Sequence, residues 1–307
     1  MQTLASRLAP LPDDIPSAAS ERLRFAMDDG SGDVLLGMLD WPVVDGGGPA
    51  LILIHGLTGS QDSLYMRRTA RHFVARGHPV LRLNLRAAGP SRATCGDIYY
   101  SGRTGDFRRV LAALPGDLAD RALVGIGYSL GGNMLLKYMG EEGERAWLAA
   151  AATVCAPIDL SVTCAHMMKP RNRLYHKHII AEMKREALAP EARLTAAERA
   201  AIAGSRTVWD YDDRFIAPRH GFAGAEDYYD KNMALRFLPG IRKPTLTIAA
   251  SDDPWIPAAL YERARALGND ALCVKVTRGG GHVGFRSAGD DVAWHDRAIE
   301  RLLAGVR

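Results

Sequence analysis

Hydrophobic residues along this chain form short, uninterrupted runs that alternate with longer amphipathic stretches. The run Leu51-Ile52-Leu53-Ile54 contains no polar position, which is typical of a strand covered on both faces and therefore of a parallel sheet between helices. The stretches between such runs repeat apolar positions at helical spacing and stop at glycine or proline, as 64–76 does at Gly77. This alternation predicts an α/β fold with a mostly parallel central sheet and helices on both faces.

The same pattern divides most of the chain into elements. The predicted strands cover 22–27, 34–41, 51–54, 80–85, 122–126, 149–155, 245–250 and 272–277. The predicted helices that alternate with them cover 64–76, 103–114, 133–139, 257–267 and 292–303. The first two strands flank the turn-rich segment 28–32 and are expected to form a hairpin.

The alternation is interrupted between 158 and 237. This stretch contains helical segments at 175–187 and 195–203, together with many aromatic and charged residues. We expect it to be a helical insertion above the carboxyl edge of the sheet, where open α/β sheets bind ligands. The predicted division is an N-terminal arm (1–20), the first part of the α/β core (21–157), a helical cap insertion (158–237) and the second part of the core (238–307).

The residues Gly127-Tyr128-Ser129-Leu130-Gly131 place a serine between two glycines, after a predicted strand and before a predicted helix. A strand that turns at once into a helix forces its turn residue into strained backbone angles. The flanking glycines let neighbouring backbone approach without Cβ clashes. The Ser129 hydroxyl is then held at the end of the sheet, at the positive end of a helix. This context predicts a catalytic nucleophile and disfavours a purely structural turn serine.

A nucleophilic serine needs a base and a carboxylate that orients the base. His282 follows the last predicted strand in a glycine-rich loop that keeps the ring exposed, and it is the predicted base. Asp252 and Asp253 both follow the strand at 245–250. The turn 253–257 favours Asp253 as the carboxylate, with Asp252 as a capping or salt-bridging group. Loops at the carboxyl ends of parallel strands share one edge of the sheet, so we expect these side chains to meet.

The proton transfers define the predicted roles. His282 removes the proton of Ser129 and returns it to the leaving alkoxide, while the carboxylate fixes the imidazole tautomer and stabilises the imidazolium. The backbone N–H groups of Leu57 and Leu130 are expected to stabilise the developing oxyanion.

Other polar features have simpler interpretations. His55 is expected to shape the oxyanion loop through backbone hydrogen bonds, and Asp159 to cap the first helix of the insertion. The basic stretch 169–178 is typical of a solvated helix face, with recognition of an anionic head group or membrane surface as the alternative. His176 and His178 point to opposite sides of a helix, which disfavours a metal site.

Composition adds few constraints. The chain has 307 residues, of which 47% are hydrophobic and 24% are charged. Its net charge is +4, and its basic residues are scattered among acidic ones. This charge pattern does not predict a nucleic-acid partner. The four cysteines lie far apart without a CxxC pair, which indicates thiols in a reducing compartment and no zinc site. Segment 1–20 has no continuous apolar run, so we expect neither a signal peptide nor an integral membrane segment. We therefore expect a cytoplasmic location.

Several strings, in this order, resemble those of the YheT-like branch of the α/β-hydrolase superfamily, which includes bacterial predicted hydrolases, ABHD-type lipid esterases and medium-chain acyl-ester synthases. They are His55-Gly56-Leu57-Thr58-Gly59-Ser60, Gly127-Tyr128-Ser129-Leu130-Gly131-Gly132-Asn133, His220-Gly221-Phe222, Asp227-Tyr228-Tyr229, Asp252-Asp253-Pro254 and Gly280-Gly281-His282-Val283-Gly284-Phe285. The resemblance runs from about His55 to the C-terminus and implies the α/β-hydrolase fold, carboxylic-ester hydrolysis and a Ser129, Asp253, His282 triad. One departure is the run 210–213, which is more acidic than the family pattern.

The sequence therefore predicts a serine carboxylic-ester hydrolase that acts through an acyl-enzyme on short- to medium-chain acyl esters and uses no cofactor and no metal. Two alternatives remain open here. One is an acyltransferase with an alcohol acceptor, and the other is a non-catalytic ligand-binding homologue of the same fold. The expected partner is a small-molecule acyl ester, and the sequence is compatible with a homo-oligomer.

Overall fold

The computed structural model describes residues 14–286 and 292–306, and its centre is an eight-stranded sheet in the order β1-β2-β4-β3-β5-β6-β7-β8. The strands are β1 (Ser17–Ala26), β2 (Val34–Pro42), β3 (Ala50–Ile54), β4 (Val80–Leu83), β5 (Leu123–Tyr128), β6 (Leu148–Val154), β7 (Thr245–Ala250) and β8 (Leu272–Thr277). β2 pairs antiparallel with β1 and with β4, and the pairings from β4 to β8 are parallel. The predicted mostly parallel sheet is confirmed.

Nine helices of seven residues or more lie in the described part of the chain. They are α1 (Leu64–Val74), α2 (Thr104–Ala112), α3 (Leu130–Glu142), α4 (Leu160–Met167), α5 (Arg173–Ala187), α6 (Ala196–Gly204), α7 (Ala225–Asn232), α8 (Ala259–Arg265) and α9 (Trp294–Leu303). Shorter helical turns are Gly89–Thr94, Gly116–Ala119, Gly143–Arg145, Pro170–Asn172, Val208–Tyr211, Ala217–Arg219, Ala234–Arg236 and Leu238–Gly240, and Asp212–Ile216 is a π-helical turn. None of the helices in residues 14–286 and 292–306 combines the length and apolar character that crossing a membrane requires.

The central strands are covered on both faces, as the apolar run in β3 predicted. All five residues of β3 are buried. On β5, a Cβ added at Gly125 would lie 2.9 Å from the Leu135 side chain of α3. The Tyr128 hydroxyl, by contrast, lies 2.6 Å from Thr69 Oγ1 of α1. Glycine and tyrosine occupy alternate faces of the strand, so α3 and α1 pack on opposite sides of the sheet.

The start of β1 differs from the sequence prediction. β1 begins at Ser17, which is inside the segment 1–20 that was expected to be an arm, because its residues pair with β2 from Ser17 opposite Pro42 onward. The chain between β6 and β7 forms helices and helical turns and contains no strand, although its separation as a cap remains a prediction. The N-terminal part of the expected arm lies outside the described residues.

A buried arginine connects the turn between β1 and β2 to helix α2 by hydrogen bonds. Arg86 is 1% exposed and follows β4. Its guanidinium donates to both carboxylate oxygens of Asp106 on α2, at 2.7 and 2.8 Å, and to Asp33 Oδ2 at 2.9 Å and Asp29 Oδ2 at 2.8 Å. Burial raises the pKa of the Asp29 carboxyl, but the hydrogen bonds from Ser31 and the charge of Arg86 outweigh it, and that pKa lies at about 2.

We expect Arg86→Met to lower the free energy of unfolding by about 3 kcal/mol, because it removes the one buried guanidinium that contacts all three carboxylates. Arg103 still pairs with Asp29 and Asp106, and Arg193 with Asp33. Arg109→Met is the matched control, since the Arg109 side chain is 37% exposed, lies 3.8 Å from the exposed Asp28 and otherwise donates to Ala26 O at 3.0 Å. Its expected cost is below about 1 kcal/mol. Urea unfolding measures both values, and equal losses would contradict this role of Arg86.

Candidate active site

Ser129 lies at a sharp turn between β5 and α3. Its φ of +49° is a strained value for a residue with a side chain. A Cβ at Gly131 would lie 2.4 Å from the backbone oxygen of His55, and a Cβ at Gly127 would lie 2.7 Å from that of Gly131. Glycine is therefore required at both positions because backbone packs directly against them. The result is a hydroxyl raised above the carboxyl edge of the sheet.

The three residues predicted to form a triad are brought together. His282 Nε2 lies 3.0 Å from Ser129 Oγ, and His282 Nδ1 lies 2.8 Å from Asp253 Oδ2. Because a carboxylate only accepts hydrogen bonds, Nδ1 carries the proton and donates it to Asp253. The Nε2 lone pair therefore faces the hydroxyl of Ser129, which is the arrangement a base requires.

Asp253 is held in a buried position. It is 7% exposed, and its Oδ1 accepts hydrogen bonds from the backbone N–H groups of Trp255 at 2.9 Å and Ile256 at 3.1 Å. Burial raises the pKa of this carboxyl, but the charge and hydrogen bond of His282 and the two amides outweigh it, so its pKa lies below the ordinary value. The exposed Asp252 has a different contact, because its Oδ1 accepts from the N–H of Gly281 at 2.8 Å.

The loop after β3 passes directly against Ser129, since a Cβ at Gly56 would lie 3.0 Å from the Ser129 Cβ. Gly56 O accepts from His55 Nδ1 at 2.7 Å and from Gly59 N at 3.0 Å, which orients the peptide joining Gly56 to Leu57. Within residues 14–286 and 292–306, the N–H groups of Leu57 and Leu130 donate to no other group. Both residues line the same cavity as Ser129.

Tyr99 connects this loop to helix α5. Its hydroxyl accepts from the N–H of Thr58 at 2.8 Å and donates to Glu186 Oε2 at 3.1 Å. Thr58 has a φ of +54°, a strained value for a β-branched residue. Burial raises the pKa of Glu186 to about 7, although the Tyr99 hydrogen bond opposes the rise. The peptides on both sides of Leu57 are thus fixed by hydrogen bonds, one through Gly56 O and one through Tyr99.

A cavity of about 400 Å³ opens above Ser129 and His282. Its apolar lining includes side chains from the loop after β3 and from the segment between β6 and β7: Leu57, Leu160, Met167, Met183, Val208 and Ile216. Tyr175 of α5 stacks on Trp255 at 3.6 Å between ring centroids, and Trp255 packs edge-on against His282 at 4.4 Å. The wall opposite the sheet is therefore built largely from helices that follow β6.

His55 and Asp159 make the backbone contacts that the sequence predicted. His55 is fully buried, accepts from the N–H of Leu85 at 3.0 Å and donates to Gly56 O, and burial lowers its pKa to about 4. Asp159 caps α4 by accepting from the N–H of Val162 at 3.0 Å. His176 accepts from the N–H of Val208 at 3.1 Å, whereas His178 lines the cavity.

Cys155, Asp253 and His282 offer three atoms within 4.8 Å of one another that are of the types that bind metals. Burial raises the pKa of the Cys155 thiol well above its ordinary value, and its sulfur lies 3.6 Å from Gly281 O and 3.5 Å from the backbone N of Val283. The Asp253 and His282 atoms already face each other in a hydrogen bond. The donor set fits a hydrogen-bonded cluster better than a metal centre.

A model of the alpha/beta hydrolase family matches residues 51–293, the range that contains Ser129, Asp253 and His282. The chain belongs to the alpha/beta hydrolase family. Within this family it belongs to the YheT-like branch: it is 32% identical over 240 residues to YheT of Escherichia coli, an alignment that covers 77% of this chain and 70% of that protein.

Other family members share less sequence. The medium-chain fatty acid ethyl ester synthase/esterase 2 of Saccharomyces cerevisiae is 28% identical over 284 residues, and the alignment covers 83% of this chain but only 62% of that protein. An esterase from Pyrococcus furiosus has a similar solved structure, with a TM-score of 0.62 at 17% identity and coverage of 94% of this chain and 91% of that one. This likeness shows a shared alpha/beta hydrolase fold.

Several residues of the site were not found from the sequence. Tyr99 and Glu186 lie 87 positions apart, and neither belongs to a recognisable motif. Asp212 also lines the cavity, and its only sequence signal was the acidic run 210–213 that departs from the family pattern.

Proposed function

We propose that this protein is a serine carboxylic-ester hydrolase that acts through an acyl-enzyme on short- to medium-chain acyl esters. The observation that carries the proposal is the hydrogen-bonded series Asp253, His282 and Ser129, which opens into a largely apolar cavity. Relatives named as esterase and as monoacylglycerol lipase support ester chemistry within the family.

In the first half of the reaction, Ser129 Oγ attacks the ester carbonyl carbon while His282 Nε2 accepts its proton. The C–O bond to the alcohol then breaks, and the imidazolium of His282 donates the proton to the leaving alkoxide. In the second half, a water molecule loses a proton to Nε2 and attacks the acyl-Ser129 carbonyl. The C–O bond to Ser129 Oγ then breaks, and the imidazolium returns the proton to that oxygen, which releases the carboxylic acid and regenerates the hydroxyl. The carboxylate of Asp253 stabilises the imidazolium in both halves, since its charge lies 2.8 Å from Nδ1.

The carbonyl oxygen becomes negatively charged in each tetrahedral intermediate. We assign its stabilisation to the backbone N–H groups of Leu57 and Leu130, the two amides beside Ser129 that have no other acceptor among the described residues. The fixed peptides around Leu57 support this role, because donors that are already oriented need no reorganisation during the reaction. The N-terminal end of α3 adds a favourable partial positive charge.

The volume and the lining of the cavity support an ester substrate whose acyl chain is of limited length. Its volume of about 400 Å³ is at the small end of ligand pockets, and the methionine and leucine side chains that line it suit an aliphatic chain. We assign residues 158–237 to a cap that encloses this chain. Free cysteines, three of them buried, are compatible with the proposed cytoplasmic location.

A series of p-nitrophenyl esters from acetate to decanoate tests the activity and the chain length. We expect kcat/KM to rise from acetate through the medium-chain esters, because each buried methylene contributes roughly 0.8 kcal/mol, and to fall once the chain exceeds the cavity. Absence of hydrolysis across the whole series would overturn the proposed function.

Acyl transfer to an alcohol is the second candidate, because a family member carries the name synthase/esterase. Both reactions share the acyl-Ser129 intermediate and differ only in whether water or an alcohol attacks it. Supplying ethanol with a p-nitrophenyl ester and measuring the ratio of ethyl ester to free acid separates them. We expect free acid to predominate at low ethanol concentration; predominance of the ethyl ester there would favour the transferase.

Tyr99→Phe is expected to lower kcat about 10-fold and to change KM by less than about 3-fold, because it frees the peptide of Thr58 without removing an oxyanion donor. The affinity for a trifluoromethyl ketone, which forms an oxyanion on Ser129, should fall by the same factor as kcat/KM. Tyr138→Phe is the matched control, since that hydroxyl accepts from Trp147 N at 3.2 Å, outside the cavity. Equal kcat values for Tyr99→Phe and wild type would contradict this role.

A further inference from the structure

The cavity contains a buried carboxylate that the proposed mechanism does not use. Asp212 begins the π-helical turn Asp212–Ile216, is 8% exposed and lines the same cavity as Ser129 and His282. Its Oδ2 accepts a hydrogen bond from the Tyr229 hydroxyl at 2.7 Å. Across residues 14–286 and 292–306, no arginine, lysine or histidine forms an ion pair with this carboxylate. A buried carboxylate without a counter-charge is costly, and a cation would reduce that cost.

The electrostatics of Asp212 agree with its position. Burial raises the pKa of its carboxyl to about 7, and the hydrogen bond from Tyr229 lowers it only in part. A positive charge placed in the cavity beside this group would favour the ionised form. π-helical turns are uncommon and are found frequently at functional sites, which is consistent with a ligand contact here.

Tyr211 gives a second, independent indication of a ligand. It is 2% exposed and lines the cavity next to Asp212 in the chain. In the described part of the protein, its hydroxyl has no hydrogen-bond partner, whereas the neighbouring hydroxyls of Tyr228 and Tyr229 bind Ser101 Oγ and Asp212. A hydroxyl on the cavity lining that has no protein partner can accept a hydrogen bond from a polar group of a ligand.

Aromatic rings surround these two groups. Tyr228 and Tyr229 also line the cavity, with their ring centroids 5.3 Å apart. Aromatic faces attract cations, and the attraction grows when the cation is removed from water. A carboxylate, a free phenol oxygen and aromatic walls together suit an ammonium group better than a neutral alkyl chain. An alkyl chain would leave the Asp212 carboxylate without a counter-charge and the Tyr211 hydroxyl without a hydrogen-bond partner.

We propose that this part of the cavity binds a protonated amine on the ester substrate, with the Asp212 carboxylate as its counter-charge and the Tyr211 hydroxyl oxygen as a further acceptor. The inference rests on the proposed function in that it names the substrate class: esters that carry an amine group on the portion enclosed by the cap. The ammonium N–H groups donate to both oxygens, and no covalent step is involved.

Binding to the wild-type protein without any ester tests the proposal independently of turnover. Ligand-observed NMR titrations compare n-hexylammonium with n-hexanol, which has the same chain and no charge. We expect n-hexylammonium to bind at least about 10-fold more tightly near neutral pH. Equal or tighter binding of n-hexanol would overturn the proposal, and so would a failure of both ligands to bind.

Variants then locate the binding group. Asp212→Asn keeps an acceptor for Tyr229 and should reduce the preference for the amine to within about 2-fold, while Tyr211→Phe should weaken amine binding about 3-fold. Asp213→Asn is the matched control, because Asp213 Oδ1 accepts from the N–H of Ala225 at 2.9 Å and the residue lies outside the cavity lining. A preference that survives Asp212→Asn would overturn the assignment.

Failure of this inference is distinguishable from failure of the proposed function. If hydrolysis of p-nitrophenyl butyrate is present and the amine preference is absent, only the substrate class is wrong. If the amine binds through Asp212 and no ester is hydrolysed, the site exists and the hydrolase proposal is wrong. Should Asp212→Asn fail to fold, the comparison of the two ligands on the wild-type protein still decides.

Discussion

Ser129→Ala is expected to lower kcat for p-nitrophenyl butyrate by about 10⁴- to 10⁶-fold, with little change in KM. The substitution removes the atom that bonds to the acyl group in the proposed mechanism, whereas the cavity and the proposed oxyanion donors remain. Steady-state kinetics gives the ratio, and a fluorophosphonate probe should label the wild type and leave Ser129→Ala unlabelled. Alanine has a φ preference similar to that of serine, so the strained turn is retained and folding is not expected to change.

Ser17→Ala is the matched control for this experiment. Ser17 lies at the start of β1, where its hydroxyl is 3.0 Å from Ser20 Oγ, and it is not part of the cavity. Its kcat and labelling should equal those of the wild type. Retention of more than about a tenth of wild-type activity by Ser129→Ala would show that another residue supplies the nucleophile.

Asp253→Asn should lower kcat by about 10⁴-fold, the second largest effect that we expect. An asparagine side chain has no negative charge to stabilise the imidazolium, and its NH₂ group favours the tautomer of His282 in which Nε2 carries the proton. That tautomer cannot accept the proton of Ser129. The effect should appear in kcat at neutral pH while the affinity for substrate changes little.

Asp252→Asn separates the two adjacent carboxylates. Asp252 contacts the N–H of Gly281, and an amide oxygen can accept the same hydrogen bond, so we expect a loss of less than about 10-fold. The comparison between the two variants tests the choice that the sequence left open. A larger loss for Asp252→Asn than for Asp253→Asn would reverse the assignment.

Local backbone requirements explain why much of the arrangement around Ser129 could be anticipated. The glycines at 127 and 131 are needed because backbone atoms occupy the space of a side chain, and this requirement is visible in sequence as a fixed spacing. The buried strand β3 was equally visible, since a strand covered on both faces has no polar position. His282 and Asp253 could be selected because each follows a parallel strand, and such loops share one edge of the sheet.

Contacts between distant positions could not be anticipated in this way. Arg86 contacts Asp33, which is 53 positions away, and nothing near Arg86 in sequence indicates three carboxylate partners. Tyr99 and Glu186 meet only because α5 lies over the loop after β3. The early start of β1 has a similar cause, because pairing with β2 determines where that strand begins, and its own side chains do not.

Segment 158–237 shows the same limit most clearly. Its helices were partly predicted, but which side chains face the cavity depends on how helices of different length pack against one another. Asp212 was visible only as a member of an acidic run, and its neighbour Asp213 contacts Ala225 and lies outside the cavity lining. Substrate preference is therefore the property least accessible from sequence, and the binding experiments on Asp212 and Tyr211 address it directly.

The central claim is that Ser129 is the residue acylated during ester hydrolysis. Its most direct test is to stop the wild-type enzyme with a p-nitrophenyl alkylphosphonate and to locate the modified residue by mass spectrometry of the digested protein. We expect one phosphonyl group per chain, on the peptide that contains Ser129, with loss of activity in proportion to modification. Complete inactivation with the phosphonate on a different residue, or full modification of Ser129 with activity retained, would contradict the claim.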